Sequence, residues 1–240
     1  HEVAAVATLL RNYDPTAHGS LLTLLPLTAN RSPLTDMNLP FSRLETPCAL
    51  VDIDRLEGNL NRMASHAAAL GLDLRPHVKT HKTHWIAAEQ RKRGAIGLTC
   101  ATLGEAKTMA DLADDLLLAH PPVNGEKLRR LLALPPSVRV MVGLDSAEAA
   151  DRVAQATRSS LRPVRVLVEL DLGMRRVGVQ GAEAAVRLAQ HVADNPALEF
   201  AGVMFYPGHI KGPVEEQGEA VATLNRDLEA VLEALERSDL

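Results

Sequence analysis

From residue 72 onward the chain repeats one pattern: a short run of Leu, Val and Ile, then a stretch of Ala, Leu and charged residues at helical spacing. The apolar runs are Leu72–Val78, Ala95–Ala101, Asp115–Ala119, Val138–Gly143, Val164–Glu169 and Glu199–Phe205. The helical stretches are His84–Arg93, Leu103–Ala113, Gly125–Leu134, Ser146–Ser159, Ala182–Ala193 and the acidic Val214–Arg237. Gly94, Pro121-Pro122, Pro135-Pro136 and Pro196 punctuate them. Upstream, Cys48–Ile53 reads as another strand, with Asp54 as cap of a helix Leu56–Leu70 that Gly71 closes. Runs that are apolar almost throughout belong to strands covered on both faces. Strict strand–helix alternation dictates a parallel sheet with right-handed crossovers.

Two closures fit that pattern, a doubly wound open sheet and a (β/α)8 barrel. The first wants a Gly-x-Gly-x-x-Gly turn after an early strand, and Gly94 and Gly97 are not spaced that way. The expected fold is therefore α/β, a (β/α)8 TIM-type barrel truncated after about six strands. With Phe 3, Tyr 2 and Trp 1, its core must be aliphatic. Lys+Arg 26 against Asp+Glu 30 leaves a net charge of −4, no footprint for nucleic acid or an anionic membrane. The best apolar run, Leu21–Leu27, contains Pro26 and falls far short of the ~20 residues that cross a bilayer. Two cysteines, Cys48 and Cys100, make no disulfide framework, and no basic-then-apolar leader is visible, so the cytoplasm is the expected compartment. The chain begins at His1, and Met37 opens a stretch that reads like a natural start; residues 1–43 are set apart as an N-terminal extension.

In a parallel barrel, chemistry collects at the C-terminal ends of the strands. Those ends offer Arg75-Pro-His77-Val-Lys79-Thr-His81-Lys82-Thr-His84, then Thr99 and Cys100, His120, Asp145, Glu169 with Asp171, Arg175 and Arg176, and finally Tyr206 and His209. Lys79 closes an apolar strand, where partial burial is expected; burial favours the neutral, nucleophilic form of an amine. The plain alternative is a solvated basic loop. His77, His81 and His84 are spaced by four and three, which suits zinc only if one helix carries all three; support of a cofactor suits them better. Arg176 follows Asp171-Leu-Gly-Met, where Gly173 and Gly178 permit a tight turn. It is expected either to hold a phenolate or carboxylate or to pair with Glu169 or Asp171. Tyr206 ends the sixth strand beside Gly208, and Cys100 reads as a core residue.

Thr46-Pro-Cys-Ala-Leu-Val-Asp52, Arg75-Pro-His-Val-Lys-Thr-His-Lys82, Asp171-Leu-Gly-Met-Arg-Arg-Val-Gly-Val179 and Tyr206-Pro-Gly-His209 together resemble the D-threonine aldolase / D-serine dehydratase family. These are fold-type III pyridoxal-phosphate enzymes related to alanine racemase. The resemblance covers residues 44–240 and implies a lyase acting on β-hydroxy D-amino acids, with a racemase or a non-catalytic pyridoxal-phosphate protein as alternatives. It implies that Lys79 carries the cofactor aldehyde and that Arg176 lies beside the phenolic oxygen. It makes Tyr206 and His77 cofactor contacts and His209 a substrate contact. It implies that residues 44–54 give a strand to a second β domain, that 55–240 are a partial cofactor-binding barrel, and that a C-terminal β domain lies beyond. A divalent metal, Mn or Zn, is expected through residues not present here, a homodimer is expected, and this piece alone is expected to be inactive. Where some aldolases of the family carry a histidine three residues past the position of His209, this chain has Gly212.

Overall fold

The computed structural model describes residues 22–24, 45, 47–158 and 163–240. The expected N-terminal extension thus lies outside the described residues, apart from strand β1 (Leu22–Leu24). β1 pairs antiparallel with β2 (Leu50–Asp52) in a two-stranded sheet of its own. Helix α1 (Ile53–Ala69) follows at once, capped by Asp52, whose carboxylate accepts from Arg55 N–H at 3.0 Å; Asp54 lies inside the first turn and is not the cap.

The main sheet is parallel and follows chain order: β3 (Leu98–Cys100), β4 (Asp115–Leu118), β5 (Arg139–Leu144), β6 (Val164–Leu170) and β7 (Leu198–Phe205). Helices α2 (His84–Lys92), α3 (Leu103–Met109), α4 (Gly125–Leu132), α5 (Ala147–Thr157), α6 (Ala182–Ala193) and α7 (Gly218–Glu236) make the crossovers and the final layer. Short polar residues start most of them: Thr102, Asn124 and Ser146 each accept the N–H three residues on.

The expected strand Leu72–Val78 is extended but forms no regular ladder. It meets β3 through Ile96 N–H to Leu74 O, Thr99 N–H to Pro76 O and a single parallel bridge at His77. Pro76 has no N–H to give, so the pairing is broken there. At Val78 the chain tightens into a 3-10 turn, Val78–Thr80.

Period-two alternation sorts the side chains into two cores. Leu116, Leu118, Val142, Leu144, Val166, Val168 and Leu170 pack outward among the helices. Leu117, Met141, Leu167 and Met204 form a separate, nearly dry cluster on the opposite face. Gly143 lies on that face for steric reasons: a Cβ there would be 2.6 Å from Met204 Sδ. This second cluster is the inside of an incomplete barrel, closed below by ion pairs. Arg75 grips Asp115 with Nη2 at 2.6 Å and Nε at 3.1 Å, Arg139 approaches Asp115 at 3.7 Å, and Arg165 meets Glu199 at 3.3 Å. Arg75 therefore belongs to the end of the sheet away from the strand C-termini, a correction to its expected place near Lys79.

Candidate active site

Six nearly parallel strands laid flat would hold their outer edges about 24 Å apart, five spacings of ~4.8 Å. Here the end of the first extended segment and the end of β7 meet. Lys79 Nζ lies 5.9 Å from the centre of the Tyr206 ring, and the Arg176 guanidinium lies 5.1 Å from the same ring. The sheet has curled, and three residues far apart in sequence share one rim above the apolar floor of Leu117, Met141, Leu167 and Met204.

Each is aimed by local geometry. Lys79 sits in the 3-10 turn, and its N–H donates to His77 Nδ1 at 3.3 Å. An accepting Nδ1 places the ring proton of His77 on Nε2. Burial, and then the nearby Lys79 charge, holds His77 down at about 4, so the imidazole is neutral near pH 7. His81 repeats the arrangement one turn on, its Nδ1 accepting from Thr83 N–H at 3.0 Å, and burial lowers its pKa also. His84 turns away to Asp111 at 2.9 Å. The three histidines thus serve separate partners, and among the described residues no group of three metal-capable side chains converges. Lys79 itself is exposed, where partial burial was expected; the rim around it is open to water.

Arg176 rides on a loop that leaves β6 and returns to it. Asp171 organises the loop, accepting from Gly173 N–H at 3.1 Å, Arg175 N–H at 2.8 Å and Gln180 Nε2 at 2.8 Å, which hold its carboxyl below the usual range. Val179 then bridges back to Leu170. Gly178, at φ +104, has no room for a Cβ, which would lie 2.5 Å from Asp171 N. With Asp171 committed to the loop, neither expected ion pair of Arg176 forms; its guanidinium faces the Tyr206 ring instead. Tyr206 packs against Gly208, where a Cβ would be 2.2 Å from the ring. His209 lies over Gly173, its Nε2 2.8 Å from where a Cβ would be, so β7 and the arginine loop fit together at this point. Gly212 has φ +112, a conformation that disfavours a histidine there.

The sequence reading passed over Glu105. It is buried at 8% exposure, accepts from Ala101 N–H at 2.7 Å, and meets Lys82 Nζ at 3.4 Å. Its charge raises the affinity of His77 and His81 for protons against the larger effect of burial. The Thr102-x-x-Glu105 spacing of a capping box was the available signal. Cys100 is core, as expected, its thiol pushed up to about 12 by burial.

A parallel α/β sheet curled around an apolar floor, with a lysine, an arginine and a tyrosine sharing the rim at its strand ends, is the architecture of a partial (β/α) barrel. The chain belongs to the alanine racemase N-terminal domain family, whose model matches residues 51–238. It is 34% identical over 173 residues to a D-threonine aldolase of Arthrobacter sp., covering 72% of this chain and 46% of that protein. It is 32% identical over 167 residues to a D-threo-3-hydroxyaspartate dehydratase of Delftia sp., covering 69% and 44%. The crystal structure of D-threonine aldolase from Filomicrobium marinum superposes with a TM-score of 0.75 at 32% identity, covering 79% of this chain and 52% of that one. The chain spans about half the length of the relatives it matches. No described helix is long and apolar enough to cross a membrane.

Proposed function

We propose that this chain supplies the cofactor-binding part of a pyridoxal-phosphate-dependent lyase for β-hydroxy D-amino acids. The observation that carries this reading is the placing of Lys79 and Arg176 against one tyrosine ring at the barrel rim. The donor set fits the cofactor. An aldehyde needs an amine not committed to an ion pair, and a phenolic oxygen needs a free cation. Among the described residues neither Lys79 nor Arg176 has a carboxylate within ion-pair distance, whereas Lys82 and Arg75 do.

In this reading Lys79 Nζ is the amine that would hold the cofactor aldehyde. Arg176 donates to the phenolic oxygen by a charge-assisted bond. Tyr206 lines the ring, and neutral His77 fixes the lysine turn without adding charge. His209 stands on the substrate side. The bound cofactor supplies an electron sink for the carbanion at the substrate Cα. The divalent metal that would polarise a β-hydroxyl is assigned to no described residue. The reading places the protein in the cytoplasm as a homodimer with its second β domain completed from outside residues 55–240.

The test is an absorbance spectrum before and after borohydride, with mass mapping of the fixed label. Label on Lys79 supports the reading; label on any other residue removes it. Turnover of D-threonine against D-serine, with added manganese or zinc, separates retro-aldol cleavage from dehydration.

A further inference from the structure

Gly208 is a glycine whose own backbone does not call for one. Gly173, Gly178 and Gly212, in the neighbouring loops, have φ of +109, +104 and +112, where any side chain is strained. Gly208 lies outside that region. What opposes a side chain there is a ring. A Cβ at residue 208 would be 2.2 Å from Tyr206 Cε1, 2.8 Å from Cζ and 3.0 Å from Cδ1. Non-bonded carbons settle about 3.5–4.0 Å apart, so the methyl and the ring cannot share this space. The nearest obstacles are all atoms of one edge of the phenol, and none is backbone. The same ring faces Lys79 Nζ at 5.9 Å and the Arg176 guanidinium at 5.1 Å.

We infer that Gly208 is a positioning residue that acts through Tyr206: the missing side chain leaves the ring room to lie where Lys79 and Arg176 both face it. On the cofactor reading above, this sets the wall against which the cofactor ring packs. The turn itself has little freedom to absorb an added methyl. Pro207 has a fixed φ, and its carbonyl accepts from Ile210 N–H at 3.1 Å, so the chain is tied on both sides of residue 208. The tyrosine ring, at the end of a rotatable side chain, gives way instead. Gly208→Ala therefore turns the ring away from the two cations and leaves the strand and the turn in place.

The experiment is a double-mutant cycle of wild type, Gly208→Ala, Tyr206→Ala and the double variant. Each is titrated with pyridoxal phosphate, mapped after borohydride, and melted free of cofactor. Gly208→Ala is expected to weaken binding about tenfold, the worth of two cation–ring contacts at a half-open rim. In the Tyr206→Ala background, where the ring is gone, the same substitution is expected to change affinity by less than about twofold. Gly208→Ala is expected to melt within about 2 °C of wild type. In cofactor-free protein carrying 3-fluorotyrosine, the fluorine signal that Tyr206→Ala removes is expected to shift in Gly208→Ala. Equal affinities of wild type and Gly208→Ala overturn the inference, as does an equal loss in both backgrounds or an unshifted fluorine signal. A Gly208→Ala protein that unfolds overturns it too, because the ring would then be holding the fold rather than facing the cations. Wild-type protein with no fixed label on Lys79 overturns the cofactor reading, while the fluorine signal still reports on Gly208. Label on Lys79 with equal affinities overturns only the role of Gly208.

Discussion

The Arg75–Asp115 pair offers the sharpest energetic test of the fold, because it separates what holds the barrel from what works at its rim. Its side chains are 12% and 7% exposed, and the arginine uses both Nε and Nη2 on one carboxylate oxygen. Gly97 is packed against the pair: a Cβ there would be 2.5 Å from Asp115 O and 3.1 Å from Arg75 Nε. Asp115→Leu leaves a guanidinium buried without its partner, a loss of about 3–5 kcal/mol. For a chain of this size each kcal/mol is worth about 2–4 °C, so the melting point should fall by roughly 6–20 °C. Arg75→Met with Asp115→Leu removes both charges and keeps the volume, and should recover most of that loss. Arg139 lies at 3.7 Å with 58% of its side chain exposed, so water can take over its share. Thermal melts of the two single variants and the double variant close the cycle. A double variant as unstable as Asp115→Leu would refute the argument, as would loss of aldehyde capture at Lys79 in a folded double variant.

Three further outcomes follow from the site. Lys79→Ala should abolish the absorbance of the bound aldehyde while leaving the melting point within about 1 °C, since the side chain is exposed; a visible band that survives borohydride mapping elsewhere would count against it. His77, held at about 4 against 6.5 when free, binds its proton more weakly folded than unfolded. Stability linked to it is therefore complete above pH 6.5 and is lost as pH falls toward 4; His77→Gln should flatten that part of a stability–pH curve, and an unchanged slope would contradict it. Gly178→Ala forces a Cβ into the backbone of Asp171 at φ +104, so the arginine loop should be displaced and cofactor affinity should drop at least tenfold by equilibrium titration; wild-type affinity would show that the loop is not needed.

Much of this architecture is written in local pattern. Apolar runs alternating with helical stretches, broken by Gly and Pro, are enough to require parallel strands with helices outside. Chain order then assigns the strand ends on which Lys79, Arg176 and Tyr206 stand. The spacing Asp171–Gly173–Gly178 marks a tight loop in the sequence itself, because glycine takes the positive φ found at Gly173 and Gly178 without strain and an aspartate readily accepts backbone N–H groups. Other features depend on distances that no local pattern carries. Arg75 and His77 fall on one face by alternation, yet one closes the bottom of the sheet and the other supports the lysine turn. The partner that decides this, Asp115, arrives from another strand. Glu105 reads as an ordinary helix charge until α3 packs it under the histidine segment. The meeting of Lys79 with Tyr206 needs the whole sheet to curl, a cumulative effect of twist and of interior volumes such as Gly143 against Met204. Short-range sequence sets which face a side chain takes and how the chain turns. How high on the wall it stands, and what it finds opposite, comes from strand register and curvature, which are properties of the assembled sheet.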